Sequence, residues 1–286
     1  MLTNTLRLSV LTLTAAVLLT GCQRKSVNPD DLEFDVLLPC TPVKNQGRSE
    51  TCWAYAMLAT IETEHLLRGD SVNLSAVYVR RMLPEYRKSV NGKSVNGKSV
   101  NGKSVNGNSV NSRAMCQTLL NMAAIYGLVL YDALPDDAVD ELPTPRMVFM
   151  LGAQYTPQEL AHSVCAPGEY VSLTCVADSP YYRKVCVPTA DNWERNRMLN
   201  IPADSLRSHV DRALLRRHPV CWESAGHAMA IVGKAHDKSG RQYYIMKNSW
   251  SSRHGDGGFD YMPADEAVDK AVAVYMTRDA YNGQKQ

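Results

Sequence analysis

Apart from one apolar run near its start, this 286-residue chain has no stretch approaching transmembrane length, which excludes a bundle of membrane-spanning helices. It has no C-x-x-C pair, which argues against a thiol-disulfide oxidoreductase, and no convincing zinc spacing. Charge of one sign is scarce too, with a formal net value of +2. Five of the basic residues lie apart: Arg7 beside the apolar run, and Lys88, Lys93, Lys98 and Lys103 in a tandem repeat without acids. Without those five the body carries about −3, and nothing in that balance asks for nucleic acid. What the chain does have is size. With 45% hydrophobic and 21% charged residues it supports one large globular domain or two small ones, and its eight cysteines are accessory to a core.

Residues 8–20, LSVLTLTAAVLLT, are too short for a stable membrane-spanning helix and match the hydrophobic region of an export signal. The run ends Leu19-Thr20-Gly21-Cys22, which resembles a bacterial lipobox. The resemblance implies lipidation at Cys22 and a bacterial envelope lipoprotein held on the membrane by several acyl chains. An ordinary signal peptide with a coincidental cysteine is the alternative. Gln23-Arg24-Lys25-Ser26 lacks an acidic cluster, pointing to the periplasmic side rather than the cell surface. The expected organisation is a signal peptide over 1–21, a lipidated N-terminus and acidic tether over 22–38, one domain over 39–280 and a tail over 281–286.

From Cys52 the sequence CWAYAMLATIETEHLLRG places Ala54, Met57, Leu58 and Ile61 at helical spacing, with Gly69 as a stop. Further helices are expected over 115–126 and 203–217. After Pro219 the pattern turns to strands, PVCWES, HAMAIVG and RQYYIMKNSW, the last two joined by the turn His236-Asp237-Lys238-Ser239-Gly240. That order predicts an α+β chain with a helical half followed by a β-rich half. Between 88 and 112 the sequence reads KSVNG four times and then NSVNS. This repeat has no apolar period that could bury a face, and it reads as a flexible, solvated loop.

Cys52 opens a helix, where the positive end of the dipole favours thiolate over thiol. Gln46, six residues upstream, is an amide donor able to stabilise an oxyanion beside the sulfur. His227 heads one strand and Asn248 ends the next. Their midpoint falls inside the Asp237-Lys238 turn, so a regular hairpin sets them opposite one another. An Asn carbonyl accepting from one imidazole nitrogen orients the ring and leaves the other nitrogen for a thiol. Trp250 can then shield that hydrogen bond from water. The remaining histidines, at 65, 162, 209, 218, 236 and 254, have surface or packing roles by default.

PVKNQGRSETCWAYA, GHAMAIVG and KNSW together resemble the papain-like cysteine peptidases of family C1. Ser49, the GHAM sequence and HPVCWE are similar to the bleomycin hydrolase and aminopeptidase C branch. The resemblance implies a two-lobed papain-like fold with its active site in the cleft between the lobes. It implies Cys52 as nucleophile, His227 as base and then acid, Asn248 as the residue orienting His227, and Gln46 with the Cys52 backbone N–H as the oxyanion hole. A resting thiolate-imidazolium pair, peptide or protein substrates, a monomer, and no metal or other cofactor are further implications. The 175 residues between Cys52 and His227 become 150 without the repeat, the upper end of the ~130–150 typical of such enzymes.

The chain departs from the family where Asn111-Ser112-Arg113-Ala114 replaces a pair of glycines at the cleft wall, and where Ser251-Ser252 follows the tryptophan. The first departure motivates an alternative, a non-catalytic envelope lipoprotein that binds peptide or a protein partner. The end of the sequence at Gln286 gives little support to the active-site arm and caged assembly of bleomycin hydrolases. Of Cys40, Cys116, Cys165, Cys175, Cys186 and Cys221, the group at 165, 175 and 186 is expected to contain a disulfide.

Overall fold

The computed structural model describes residues 27–92, 112–138, 142–150 and 152–283. The leader with Cys22, and residues 93–111 with most of the repeat, lie outside the described residues. Helix α1 (Cys52–Leu67) is buried from Trp53 through His65, so the apolar stripe read from the sequence is one side of a helix enclosed all round. Gly69, at φ +90°, takes the chain out of the helix. α2 (Ala76–Gly92), α3 (Cys116–Tyr126) and α4 (Pro157–Val164) complete a helical lobe with α1. A Cβ at Gly127 would lie 2.1 Å from the Pro157 carbonyl carbon, so only glycine lets the end of α3 meet the start of α4. α2 corrects the loop expected from residue 88. It continues through the first pentapeptide, and Val90 packs against the helical core.

The other lobe is built on a nine-stranded sheet. Its strands are β1 (Leu32–Leu37), β4 (Tyr170–Thr174), β5 (Arg183–Cys186), β6 (Arg197–Asn200), β7 (Val220–Ser224), β8 (His227–Asp237), β9 (Gln242–Lys247), β10 (Phe259–Pro263) and β11 (Ala271–Thr277). The path runs β10-β9-β8-β7-β11-β4-β6-β5, with β1 paired to the far half of β8. β2 (Val148–Met150) and β3 (Ala153–Tyr155) form a separate hairpin. α5 (Ala203–Leu215) lays Leu206, Val210, Ala213 and Leu214 into the sheet core, while α6 (Ala264–Lys270) and α7 (Arg278–Asn282) flank β11. The tether expected over 22–38 therefore needs correction, because Leu32–Leu37 alternates sufficiently to join the sheet despite its acids.

Buried apolar residues form two clusters, one per lobe. Cys221, Ala228 and Tyr275 of the sheet belong to the helical cluster, and Ala59 of α1 belongs to the sheet cluster. α1 and the β7–β8 hairpin are thus the seam of a two-lobed, papain-like α+β fold. Among the described residues no helix is long and apolar enough to cross a membrane.

The expected bridge among Cys165, Cys175 and Cys186 is not formed; all three are free thiols. Cys165 is buried where α4 ends, whereas Cys186 is exposed at the far edge strand of the sheet. Cys116 and Cys221 lie side by side instead, their sulfurs 3.4 Å apart.

Candidate active site

The seam opens into a cavity of about 150 Å³ lined by Gln46, Cys52, His227 and Trp250, with Arg113 and Glu223 on its walls. Cys52 is the first residue of α1, so its backbone N–H is among those left without a partner inside the helix. His227 is the first residue of β8, and Asn248 follows the last residue of β9.

The Asn248 amide is oriented by its surroundings. Its Oδ1 accepts the Ser249 backbone N–H at 2.7 Å, and its Nδ2 donates to Asp260 Oδ2 at 2.6 Å. With the oxygen end so defined, His227 Nε2, 3.0 Å from Oδ1, must carry the proton and donate it. Nδ1 is then the basic nitrogen. The Trp250 ring stacks on His227 with centroids 4.5 Å apart and planes 22° from parallel, covering one face of the imidazole.

The Gln46 loop is stitched to the segment after Asn248. Gln46 N–H donates to Ser249 O at 2.8 Å, Ser249 Oγ donates to Gln46 Oε1 at 2.6 Å, and Ser251 N–H donates to Lys44 O at 3.1 Å. Gln46 Nε2 spends one proton on Ser49 O at 2.6 Å, and the amide retains a second proton for the cavity. Beneath the loop, Glu62 of α1 is fully buried. It pairs with Lys44 and accepts from the Leu74 N–H at 2.7 Å and from Thr41 Oγ1 at 2.5 Å. Thr41 in turn accepts from Lys247 at 2.8 Å. One carboxylate on α1 therefore fixes the residue two before Gln46 and, through Thr41, the residue before Asn248.

Burial acts against the lowering of the thiol pKa that the helix terminus favours. Burial pushes the Cys52 thiol up to about 11 and nearby Glu223 adds to this, although backbone hydrogen bonds and Arg113 oppose it. Burial also holds the His227 imidazole below its ordinary value, against the hydrogen bond to Asn248 and the charge of Asp260, which favour the protonated ring. Burial disfavours the charged form of each group taken alone, and passage of the Cys52 proton to His227 gives the expected ion pair.

Two features were misread or missed in the sequence. The ladder pairs Ala230 with Lys247 and Ile231 with Met246, and its register shifts between Ile231 and Gly233. Asn248 is thus diagonal to His227, not opposite it, yet on the same face, which keeps the side chains in contact. Asp260 was not singled out. It lies opposite Met246 across the β9–β10 ladder, a second diagonal neighbour of Asn248, and the Gly255–Gly258 turn was the available signal. Its Oδ1 is 3.1 Å from His254 Nε2, and the His254 ring meets Trp250 edge-on at 4.7 Å. His254, assigned by default to surface or packing, therefore belongs to a closed ring running His227, Asn248, Asp260, His254, Trp250.

Comparison with known proteins bears on the fold. A model described as papain family cysteine protease matches residues 211–277. Ananain of Ananas comosus is 25% identical over 233 residues, 79% of this chain and 53% of that protein, so the chain spans about half the length of that relative. Among solved structures, PepW of Lactobacillus rhamnosis superposes with a TM-score of 0.66 at 15% identity, covering 87% of this chain and 82% of the other. Digestive procathepsin L 3 of Tenebrio molitor gives 0.50 at 18% identity, covering 85% and 69%. The fold is papain-like.

Proposed function

We propose that this chain is a papain-like cysteine peptidase that hydrolyses peptide bonds through a thioester on Cys52. The observation that carries this reading is the convergence of Cys52, the Asn248-oriented His227, and Gln46 on one cavity. The Cys52 proton passes to His227 Nδ1 as sulfur bonds to the substrate carbonyl. The second Gln46 amide proton and the Cys52 backbone N–H receive the oxyanion. The imidazolium then protonates the departing amine as the C–N bond breaks. Water, deprotonated by His227, releases the acid and restores the thiol. Trp250 keeps water from competing for the imidazole face.

The leader and Cys22 support a lipid-anchored envelope protein, and Gln23-Arg24-Lys25-Ser26, without an acidic cluster, supports the periplasmic side. Ser49, GHAM and HPVCWE support the bleomycin hydrolase and aminopeptidase C branch. The test is digestion of a peptide library with free and blocked N-termini by the wild type and by Cys52→Ala. Cleavage confined to the wild type is expected, and preference for free N-termini identifies an aminopeptidase. Equal cleavage by Cys52→Ala would overturn the assignment. Fatty-acid incorporation that persists in Cys22→Ala would separately remove the anchor.

A further inference from the structure

Glu223 has no role in the steps above, yet it lines the same cavity and is only 5% exposed. Its Oε2 accepts the Tyr275 hydroxyl at 2.7 Å and the Cys116 backbone N–H at 3.3 Å. The Cys116 side chain also hydrogen-bonds to the carboxylate, and among the described residues no lysine, arginine or histidine forms an ion pair with Glu223. Buried carboxylates are ordinarily paired, because desolvating an unpaired charge is costly. Here the basic side chain of the cavity is engaged elsewhere: the Arg113 guanidinium faces Asp191 at 3.3 Å and Glu50 at 3.7 Å. It lies so close over Gly226 that a Cβ there would come within 2.7 Å of it. Glu50, Asp191 and Glu223 thus share one cavity with one arginine. Its volume suits a group of side-chain size, since about 150 Å³ accommodates benzene in an engineered cavity.

We propose that Glu223 makes the cavity beside Cys52 a cation subsite, which takes an ammonium or guanidinium group of the substrate against its carboxylate. The assignment deepens the peptidase reading and rests on it for the meaning of substrate. Two sources supply the same chemistry: a lysine or arginine side chain near the scissile bond, or the free amino terminus of a peptide. Burial raises the Glu223 carboxyl to about 7, with nearby Asp191 adding to the rise, while Tyr275 and Cys116 act against it. An entering cation therefore drives proton release and is bound better as pH rises through that range. The titratable and charged groups facing Glu223 are Asp191, Arg113, Cys52, Cys116, Tyr275 and His227. His227 acts on every substrate alike and cancels in a ratio of two substrates.

The experiment measures binding and hydrolysis of fluorogenic peptides carrying arginine, leucine or glutamate beside the scissile bond, each with free and blocked N-termini. Binding is read by anisotropy on Cys52→Ala and hydrolysis on the wild type. The expected result is a preference for the cationic peptide of about tenfold or more, the size of a charge-assisted contact, and its loss in Glu223→Gln. Preference that follows the free N-terminus assigns the ammonium source; preference that survives blocking assigns the side chain. The arginine-to-leucine ratio of the wild type rising between pH 6 and 8 supplies the same test without a variant. Cationic preference in binding without any hydrolysis would remove the peptidase reading and keep the subsite. Hydrolysis with arginine and leucine equal and no gain from a free N-terminus, with glutamate preferred, or with a preference unchanged in Glu223→Gln would overturn the subsite alone.

Discussion

Glu62→Ala removes the one carboxylate to which two buried ammonium groups refer. Lys44 is 9% exposed and Lys247 4% exposed, and the attraction of Glu62 opposes the burial that lowers the Lys247 pKa. After the substitution Lys44 keeps the Leu74 carbonyl at 2.7 Å and the Tyr131 ring at 5.2 Å, but no counter-charge among these contacts. Stranding a buried charge in this way costs about 3–5 kcal/mol. At about 2–4 °C per kcal/mol for a domain of this size, the melting temperature falls by roughly 6–20 °C. Urea unfolding followed by tryptophan fluorescence measures the loss directly. The double variant Lys44→Met with Glu62→Leu leaves no unpaired Lys44 and loses less stability than Glu62→Ala alone. A Glu62→Ala variant within about 1 kcal/mol of wild type, or a double variant worse than the single one, would refute the account of this network.

Other outcomes follow from the same geometry. Asp260→Asn keeps the shape but replaces a charged acceptor of the Asn248 amide, lowering kcat about ten- to a hundredfold. Because the Asp260 charge favours protonated His227, its removal lowers the His227 pKa, and the acid limb of the kcat/KM profile moves to lower pH; a limb that stays put counts against the ring. Gln46→Ala lowers kcat by roughly 10²-fold with little change in KM, as expected for an oxyanion donor, and an effect confined to KM would contradict that role. Gly127→Ala, at φ +82° and with its Cβ driven into Pro157, destabilises by about 1–3 kcal/mol or more in denaturant titration.

The parts of the molecule legible in the sequence were those with strong local signals. Cys52, Gln46, His227, Asn248 and Trp250 sit in short motifs, and the structure brings all five together. α3 and α5 fall within two residues of their expected bounds, because their periodicity coincides with their burial. What escaped depended on long-range pairing. β1 has acids on an edge strand and reads as a tether until β8 is placed beside it. The ladder shift between Ile231 and Gly233 displaced the expected His227–Asn248 opposition, though face alternation preserved the contact. Asp260 and Glu223 are single carboxylates on strands, and their importance comes only from the neighbours that folding supplies. The burial at the lobe seam that opposes the helix terminus at the Cys52 thiol is likewise invisible in the sequence.

The central claim is that Cys52 attacks when His227 accepts its proton. Intact-mass analysis after reaction with a peptidyl epoxide, followed by peptide mapping, tests it most directly. One adduct per chain on Cys52, formed rapidly by the wild type and suppressed in His227→Ala, is the predicted result. Adducts spread over several cysteines, or labelling of Cys52 at the same rate without His227, would contradict it.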